Sequence, residues 1–184
     1  MFLTKRSSSP HALVTGMVGA GLGDTVLLAG CGHADALAAV AATVGLSGTA
    51  HALVTRTSES DALARAAAAA GVLLTTAVQP EGPFPYPNGT FRVVVCDDTS
   101  GAISRLPVVS QAAWFGEARR VTAPGGRCVV LLSTAAHGVR RLLHRGTVST
   151  VDALTQLTAA GYRPVRVLGA REGLMFVEGL APRG

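Results

Sequence analysis

The sequence predicts an α/β fold with three layers, in which a mostly parallel sheet with an antiparallel last strand lies between helices. Short apolar runs alternate with segments of helical composition, an order typical of strands buried on both faces. The 184 residues are 48% hydrophobic and 15% charged, which excludes a disordered chain and favours a large core. We expect one domain over residues 1–184, with residues 1–22 as a tail and short helix and residues 133–149 as a basic connector.

The first half of the chain predicts a strand–helix repeat. Val26–Gly30 is an apolar run between glycine-rich turns, which indicates a buried first strand. Ala34–Val44 predicts a helix, and Thr49–Val54 predicts the second strand. The next helix begins at Ser58, because Ser58 and Asp61 have the spacing of a capping box.

The second half continues the alternation and closes with a hairpin. Val72–Val78 predicts the third strand, and residues 79–90, rich in proline and glycine, predict a loop. Strands are then predicted at Phe91–Cys96 and Arg127–Leu132, and helices at Leu106–Val121 and Thr150–Gly161. Two antiparallel strands follow, at Arg163–Leu168 and Gly173–Val177. Gly169–Glu172 is expected to connect the last two strands.

Composition and spacing disfavour several classes of function. Cys31, Cys96 and Cys128 are odd in number and lie in apolar runs, so we expect free thiols in a reducing compartment. The five histidines have no metal-ligand spacing, and no serine-hydrolase or P-loop motif is present. No apolar run has the roughly 20 residues of a membrane-spanning helix, and polar Ser7–His11 interrupts a signal-peptide pattern. We expect a cytoplasmic protein without a metal.

A net charge of +5 permits an anionic partner. Six arginines and no carboxylate lie between Arg119 and Arg145. Arg140, Arg141 and Arg145 are therefore candidate interaction residues for an acidic protein face or anionic lipid headgroups, although a solvated edge explains them equally well. Nucleic acid is a weaker candidate, because aromatic residues for base stacking make up only 4% of the chain.

Four segments carry motifs in a fixed order: Val26–Gly32, Phe84–Phe91, Glu117–Arg127 and Val151–Tyr162. The first three resemble V-L-D-L-G-C-G-x-G, L-P-F-P-D-G-S-F-D and E-x-x-R-V-L-K-P-G-G-R of the class I S-adenosylmethionine-dependent methyltransferases, especially the ubiquinone and menaquinone biosynthesis type. The fourth resembles the late helix of that family, which ends in A-G-F. The resemblance extends over residues 20–182 and implies a Rossmann-like methyltransferase fold with seven strands.

The resemblance also implies a cofactor site at the carboxyl ends of strands 1, 2 and 4. The matching positions are Gly30, Cys31, Gly32, His33, Thr55 and Cys96. The family's acidic ligands are replaced by Leu28 in strand 1, by Pro80 after strand 3 and by Arg92 in strand 4, and Leu53–Arg56 has no acid. A hydrogen bond with a charged group contributes about 1.5–3 kcal/mol, so three losses lower the affinity on the order of thousands-fold. These positions are predicted to be vestigial, and no bound cofactor is expected.

Three functions are compatible with these patterns. We expect a non-catalytic methyltransferase-like domain that acts as a structural or interaction subunit of a larger protein assembly, with the cytoplasmic face of an anionic membrane as a second candidate location. Short segments before strand 1 and after strand 5 support this, because the family covers its acceptor there. The first alternative is an active S-adenosylmethionine-dependent methyltransferase of a small molecule, in which Asp97, Asp98 or Glu59 replaces the lost acids. The second is a basic nucleic-acid-binding domain.

Overall fold

The computed structural model describes residues 10–79, 82–134 and 150–183. In chain order the elements are α1 (Pro10–Val18), β1 (Thr25–Ala29), α2 (Ala34–Thr43), β2 (Thr49–Val54), α3 (Thr57–Ala70), β3 (Thr75–Val78), β4 (Phe91–Asp97), α4 (Val108–Val121), β5 (Thr122–Ser133), α5 (Thr150–Ala159), β6 (Val165–Arg171) and β7 (Leu174–Leu180). The seven strands form one sheet in the order β3-β2-β1-β4-β5-β7-β6. β1 to β5 pair in parallel, and β7 is antiparallel to both neighbours. The predicted fold class is confirmed.

The core lies on both faces of the sheet because the central strands contain runs of consecutive apolar residues. On β1, Val26 and Leu28 pack in the cluster that includes α1 and α2, while Leu27 and Ala29 pack on the opposite face with Phe115 of α4. These four side chains are fully buried. This two-sided burial is what continuous apolar strands between helices require.

The hairpin at the end of the chain differs from the prediction. Its turn is Glu172-Gly173, where both residues have positive φ, 54° and 79°. This is the conformation of a two-residue turn that matches the twist of the strands. Gly169, predicted to lie in the connection, is within β6 at a shift of register. Both final strands are therefore longer than predicted.

Other predicted boundaries also differ from the structure, and β3 begins at Thr75, three residues after the predicted Val72. The predicted Ser58–Asp61 capping box is replaced, because α3 begins one residue earlier and the Glu59 carboxylate accepts from the Arg56 amide at 3.2 Å. The fifth strand begins at Thr122, before the predicted Arg127, and residues 124–126 form a bulge inside β5, since Phe91 pairs with Thr122 and the register then shifts.

The interaction residues predicted on the basic connector, Arg140, Arg141 and Arg145, lie outside the described residues. None of the helices that the structure describes combines the length and the hydropathy needed to cross a bilayer.

Candidate functional site

The turn after β1 lies against the carboxyl end of β4. Gly30 has a φ of +91°, and a Cβ added there would lie 2.5 Å from the Asp97 carbonyl oxygen. Only glycine permits both this backbone conformation and this approach. The glycine that the sequence indicated is therefore needed to join two strand ends, whether or not a ligand binds.

The Asp97 side chain fills the space that this turn encloses. Its Oδ2 atom accepts hydrogen bonds from the amides of Gly32, at 2.7 Å, and His33, at 2.9 Å. Its Oδ1 atom accepts from the Thr99 amide at 3.0 Å and from the Thr99 hydroxyl at 2.5 Å. A carboxylate has about four acceptor positions, so this fully buried group is saturated by the protein itself.

Thr99 closes the turn further. Any side chain at position 32 would collide with the Thr99 hydroxyl, which lies directly beside Gly32. The same hydroxyl is 2.8 Å from Nδ1 of His33. The His33 ring is exposed and lies at the start of α2. The amides of Gly32 and His33 are therefore bonded to Asp97, although both residues are exposed.

Glu59 supplies a carboxylate at the end of β2, although the sequence placed it outside the site. Its Oε2 atom accepts from the amide and hydroxyl of Thr55 at 3.1 and 3.2 Å and from the Arg56 amide. Its Oε1 atom accepts two bonds from the Arg56 guanidinium, the shorter at 2.5 Å. The side chain is only 6% exposed. Glu59 therefore caps α3 and holds Thr55, and both oxygens are engaged.

Asp98 is the third carboxylate of this region. It accepts from the amides of Ile103, at 2.7 Å, and Ser104, at 3.1 Å. Burial raises the pKa of the Asp98 carboxyl, and the bonds from Ser104 and Ile103 oppose that effect. Its role in this structure is to hold the loop between β4 and α4.

The two cysteines predicted at the site lie in different surroundings. Cys31 is half-buried on the glycine turn, and its pKa is raised to about 11, mainly by burial and also by Asp97 and Glu59. Such a thiol stays protonated at neutral pH and is a weak nucleophile. Cys96 is fully buried in the core, with its sulfur 3.8 Å from that of Cys128. All three cysteines are free, as predicted.

The positions that lost an acid have other roles. Leu28 is fully buried in the core between the sheet and α2, so no polar group faces a ligand from that position. Arg92 is exposed, and its guanidinium donates to the Gly125 carbonyl at 2.8 Å. Pro80 lies outside the described residues.

A groove of about 600 Å³ lies beside the turn, between α1 and the hairpin of β6 and β7. Its lining includes His11, His33, Asp35, Ser133 and Glu172. Within the described ranges, no three His, Cys, Asp or Glu side chains are grouped so that they could hold a metal ion.

Known proteins resemble this chain in structure but not detectably in sequence. No protein-family model and no curated protein matches the chain. Solved structures do match. A methyltransferase from Aquifex aeolicus that depends on S-adenosylmethionine (SAM) superposes with a TM-score of 0.72 and 19% identity, over 93% of this chain and 89% of that one.

Two further structures have the same architecture. The [4+2]-cyclase SpnF has a TM-score of 0.71 and 15% identity, over 95% of this chain and 80% of its own. A SAM-dependent O-methyltransferase from Thermotoga maritima has a TM-score of 0.65 and 12% identity, over 95% and 66%. The chain therefore has the class I methyltransferase fold. At these identities the comparison establishes the fold, and a fold alone does not define the reaction.

Proposed function

We propose that this chain is a non-catalytic methyltransferase-like domain that acts as an interaction subunit of a larger protein assembly. The observation that carries the proposal is the Asp97 carboxylate, which is saturated by the glycine turn and by Thr99. The turn has no free amide at Gly32 or His33 to offer a ligand.

The engagement of the other carboxylates supports the same proposal. Glu59 is bonded to Thr55 and Arg56, and Asp98 is bonded to the loop at Ile103. An enzyme that used these groups for a ribose or an ammonium would first have to break bonds that stabilise its own fold. A buried group left without its partner costs about 1–3 kcal/mol, which lowers any remaining affinity for a cofactor.

Isothermal calorimetry with SAM tests the loss of cofactor binding. We expect no saturable binding below about 100 μM, because three missing charged contacts weaken a micromolar site about a thousandfold. Thr99→Ala is the matched variant, since it opens the space over Gly32 and restores no acid. It should bind no better than the wild type. Tight, stoichiometric binding to the wild type would contradict the proposal.

The predicted basic connector is our candidate for attachment to a protein partner. Arginine pairs well with carboxylates through its two parallel donors. Replacing Arg140, Arg141 and Arg145 by Glu should release the subunit from a co-purified assembly, as should high salt. Unchanged association of this variant would count against the connector.

A second candidate function is an active SAM-dependent methyltransferase of a small molecule. The groove of about 600 Å³ beside Gly32 favours it, because His11 and His33 line a space large enough for an acceptor. Binding of SAM in the calorimetric experiment would favour this candidate.

A further inference from the structure

Three leucines are exposed at one edge of the sheet, in the turns that precede β1, β2 and β3. Leu22, Leu46 and Leu73 are 83%, 101% and 88% exposed, whereas the leucines of the core are fully buried. A lone exposed leucine is common on protein surfaces. Three exposed leucines at adjacent turns need a further explanation.

The three turns are in contact with one another. The Thr49 amide donates to the Asp24 carbonyl at 3.1 Å, which joins the first two turns. The Leu22 side chain lies over Gly45, so that a Cβ there would be 2.8 Å from Leu22 Cδ2. Leu46 and Leu73 line the same shallow groove of about 290 Å³. The leucines therefore form one apolar patch, which we call the leucine edge.

Arginines continue this edge beyond the apolar part. Arg92 is exposed near the start of β4, the neighbour of β1, and its amide donates to the Thr25 hydroxyl at 3.0 Å. Arg183, also exposed, follows β7, and a Cβ at Gly125 would be 3.1 Å from Arg183 Cγ and 3.6 Å from Arg92 Nη1. The two guanidinium-bearing side chains thus meet at Gly125.

Acidic side chains are concentrated at the opposite edge of the sheet. Parallel strands end there and the helices that follow begin there, which places at that edge Asp35, Glu59, Asp61, Asp97, Asp98 and Asp152. Near the leucine edge, Asp24 accepts from the Gly21 amide and Glu117 is paired with Arg120. The leucine edge is therefore apolar and basic, whereas most of the described carboxylates lie at the opposite edge, together with Arg56, Arg105 and Arg171.

We propose that the leucine edge is a docking face for an anionic lipid bilayer, in which Leu22, Leu46 and Leu73 enter the acyl boundary and Arg92 and Arg183 contact headgroup phosphates. Apolar tips beside basic residues are the composition of surfaces that bind at membrane interfaces. A fluid hydrocarbon layer accepts three separate leucine side chains without preformed pockets. A protein partner would need a complementary pocket for each leucine.

This inference does not depend on the loss of cofactor binding. It uses a surface at the opposite edge from the glycine turn, so calorimetry with SAM and vesicle binding can fail independently. It also differs from attachment through the basic connector, because it requires the leucines.

Co-sedimentation of the full chain with vesicles tests the proposal. Binding is expected to mixed phosphatidylserine and phosphatidylcholine, with much weaker binding to phosphatidylcholine alone. Changing Leu22, Leu46 and Leu73 together to Ser should weaken binding about a thousandfold, because burial of each leucine corresponds to about tenfold or more. Arg92→Glu with Arg183→Glu should weaken it about tenfold or more.

The matched control lies at the opposite edge. Val108 and Val109 at the start of α4 are 72% and 77% exposed, and changing both to Ser should leave vesicle binding unchanged. Circular dichroism checks that all variants fold. Equal binding by the triple leucine variant and the wild type, or no binding to anionic vesicles, would overturn the proposal.

A reporter of depth separates direct insertion from attraction by charge. In a Trp114→Phe background, Leu46→Trp should be quenched by lipids with brominated acyl chains. The native Trp114 lies in α4 and packs on Phe84, and its fluorescence should not be quenched in the wild type. If the Trp fluorescence of Leu46→Trp is not quenched while the protein is bound to vesicles, the edge is not a lipid-docking face. The same conclusion follows if the leucine variants lose a protein partner and keep their lipid binding.

Discussion

A single carboxylate determines what the glycine turn can do. Asp97 lies 65 residues after Gly32 in the chain, yet it satisfies the amides that this type of turn leaves free. Backbone amides at the start of a helix attract an anion, and here the anion belongs to the protein. The turn is therefore explained by folding, without a ligand.

Loss of the Asp97 side chain is predicted to destabilise the protein. Asp97→Ala leaves the amides of Gly32, His33 and Thr99 unsatisfied, so we expect the free energy of unfolding to fall by about 3–5 kcal/mol. Asp97→Asn retains one acceptor oxygen and should cost less, about 1–3 kcal/mol. Urea denaturation measures both.

The control for Asp97 is Asp61→Asn, because Asp61 is exposed on α3 and should change stability by less than about 0.5 kcal/mol. An Asp97→Ala variant as stable as this control would contradict the role assigned to the carboxylate.

At the scale of elements, one ion pair fastens α4 to the loop before β4. Glu117 accepts from Arg120 at 2.7 Å and from the Phe84 amide at 2.7 Å. Arg120 also donates to the carbonyls of Phe84 and Tyr86 and to the Asn88 side chain. The loop is rich in proline and glycine, and these bonds replace the regular backbone pairing that it lacks.

This pair predicts a dependence of stability on pH. The Arg120 guanidinium, with help from the Phe84 amide, lowers the pKa of Glu117 below its ordinary value of 4.5. A lowered pKa in the folded state stabilises the fold above pH 4.5, and that contribution is lost as the pH falls through the lowered pKa. Glu117→Gln should therefore cost about 1 kcal/mol at pH 7.

The difference between Glu117→Gln and the wild type should shrink at acidic pH, where the wild-type carboxyl is protonated as well. Denaturation at a series of pH values measures it, with Asp61→Asn as the reference. A difference that stays constant from pH 7 down to pH 3 would show that the charge of Glu117 is not what stabilises this contact.

At the scale of the whole molecule, the sequence predicted the sheet well because its signals are local. The apolar run Val26–Ala29, for example, lies between the glycine-rich turns at Gly23 and Gly30, and β1 follows it closely. The turn of the hairpin was misplaced because two candidate glycines, Gly169 and Gly173, lie four residues apart, and only the pairing of β6 with β7 selects between them.

The site was less predictable, since its decisive contacts join distant parts of the chain. That Asp97 bonds to Gly32 cannot be seen from either segment alone. In strands buried on both faces, periodicity also does not reveal which way a residue points, so the face of the sheet on which Cys96 packs was not predicted. The proximity of Leu22, Leu46 and Leu73 likewise follows from the order of the strands.

The whole molecule is best described as a methyltransferase fold whose two edges differ. At the carboxyl edge of the sheet, where SAM would bind in an active enzyme of this fold, Asp97 bonds to the glycine turn and to Thr99, beside a groove of about 600 Å³. The amino edge is open, apolar and basic.

Amide NMR of Gly32 and His33 tests the central claim most directly. Both amide hydrogens should exchange slowly with solvent, because they are hydrogen-bonded to the Asp97 carboxylate. For the same reason, their resonances should not shift when SAM is added to millimolar concentration. Saturable shifts of these two resonances on addition of SAM, with release of their protection, would contradict the account.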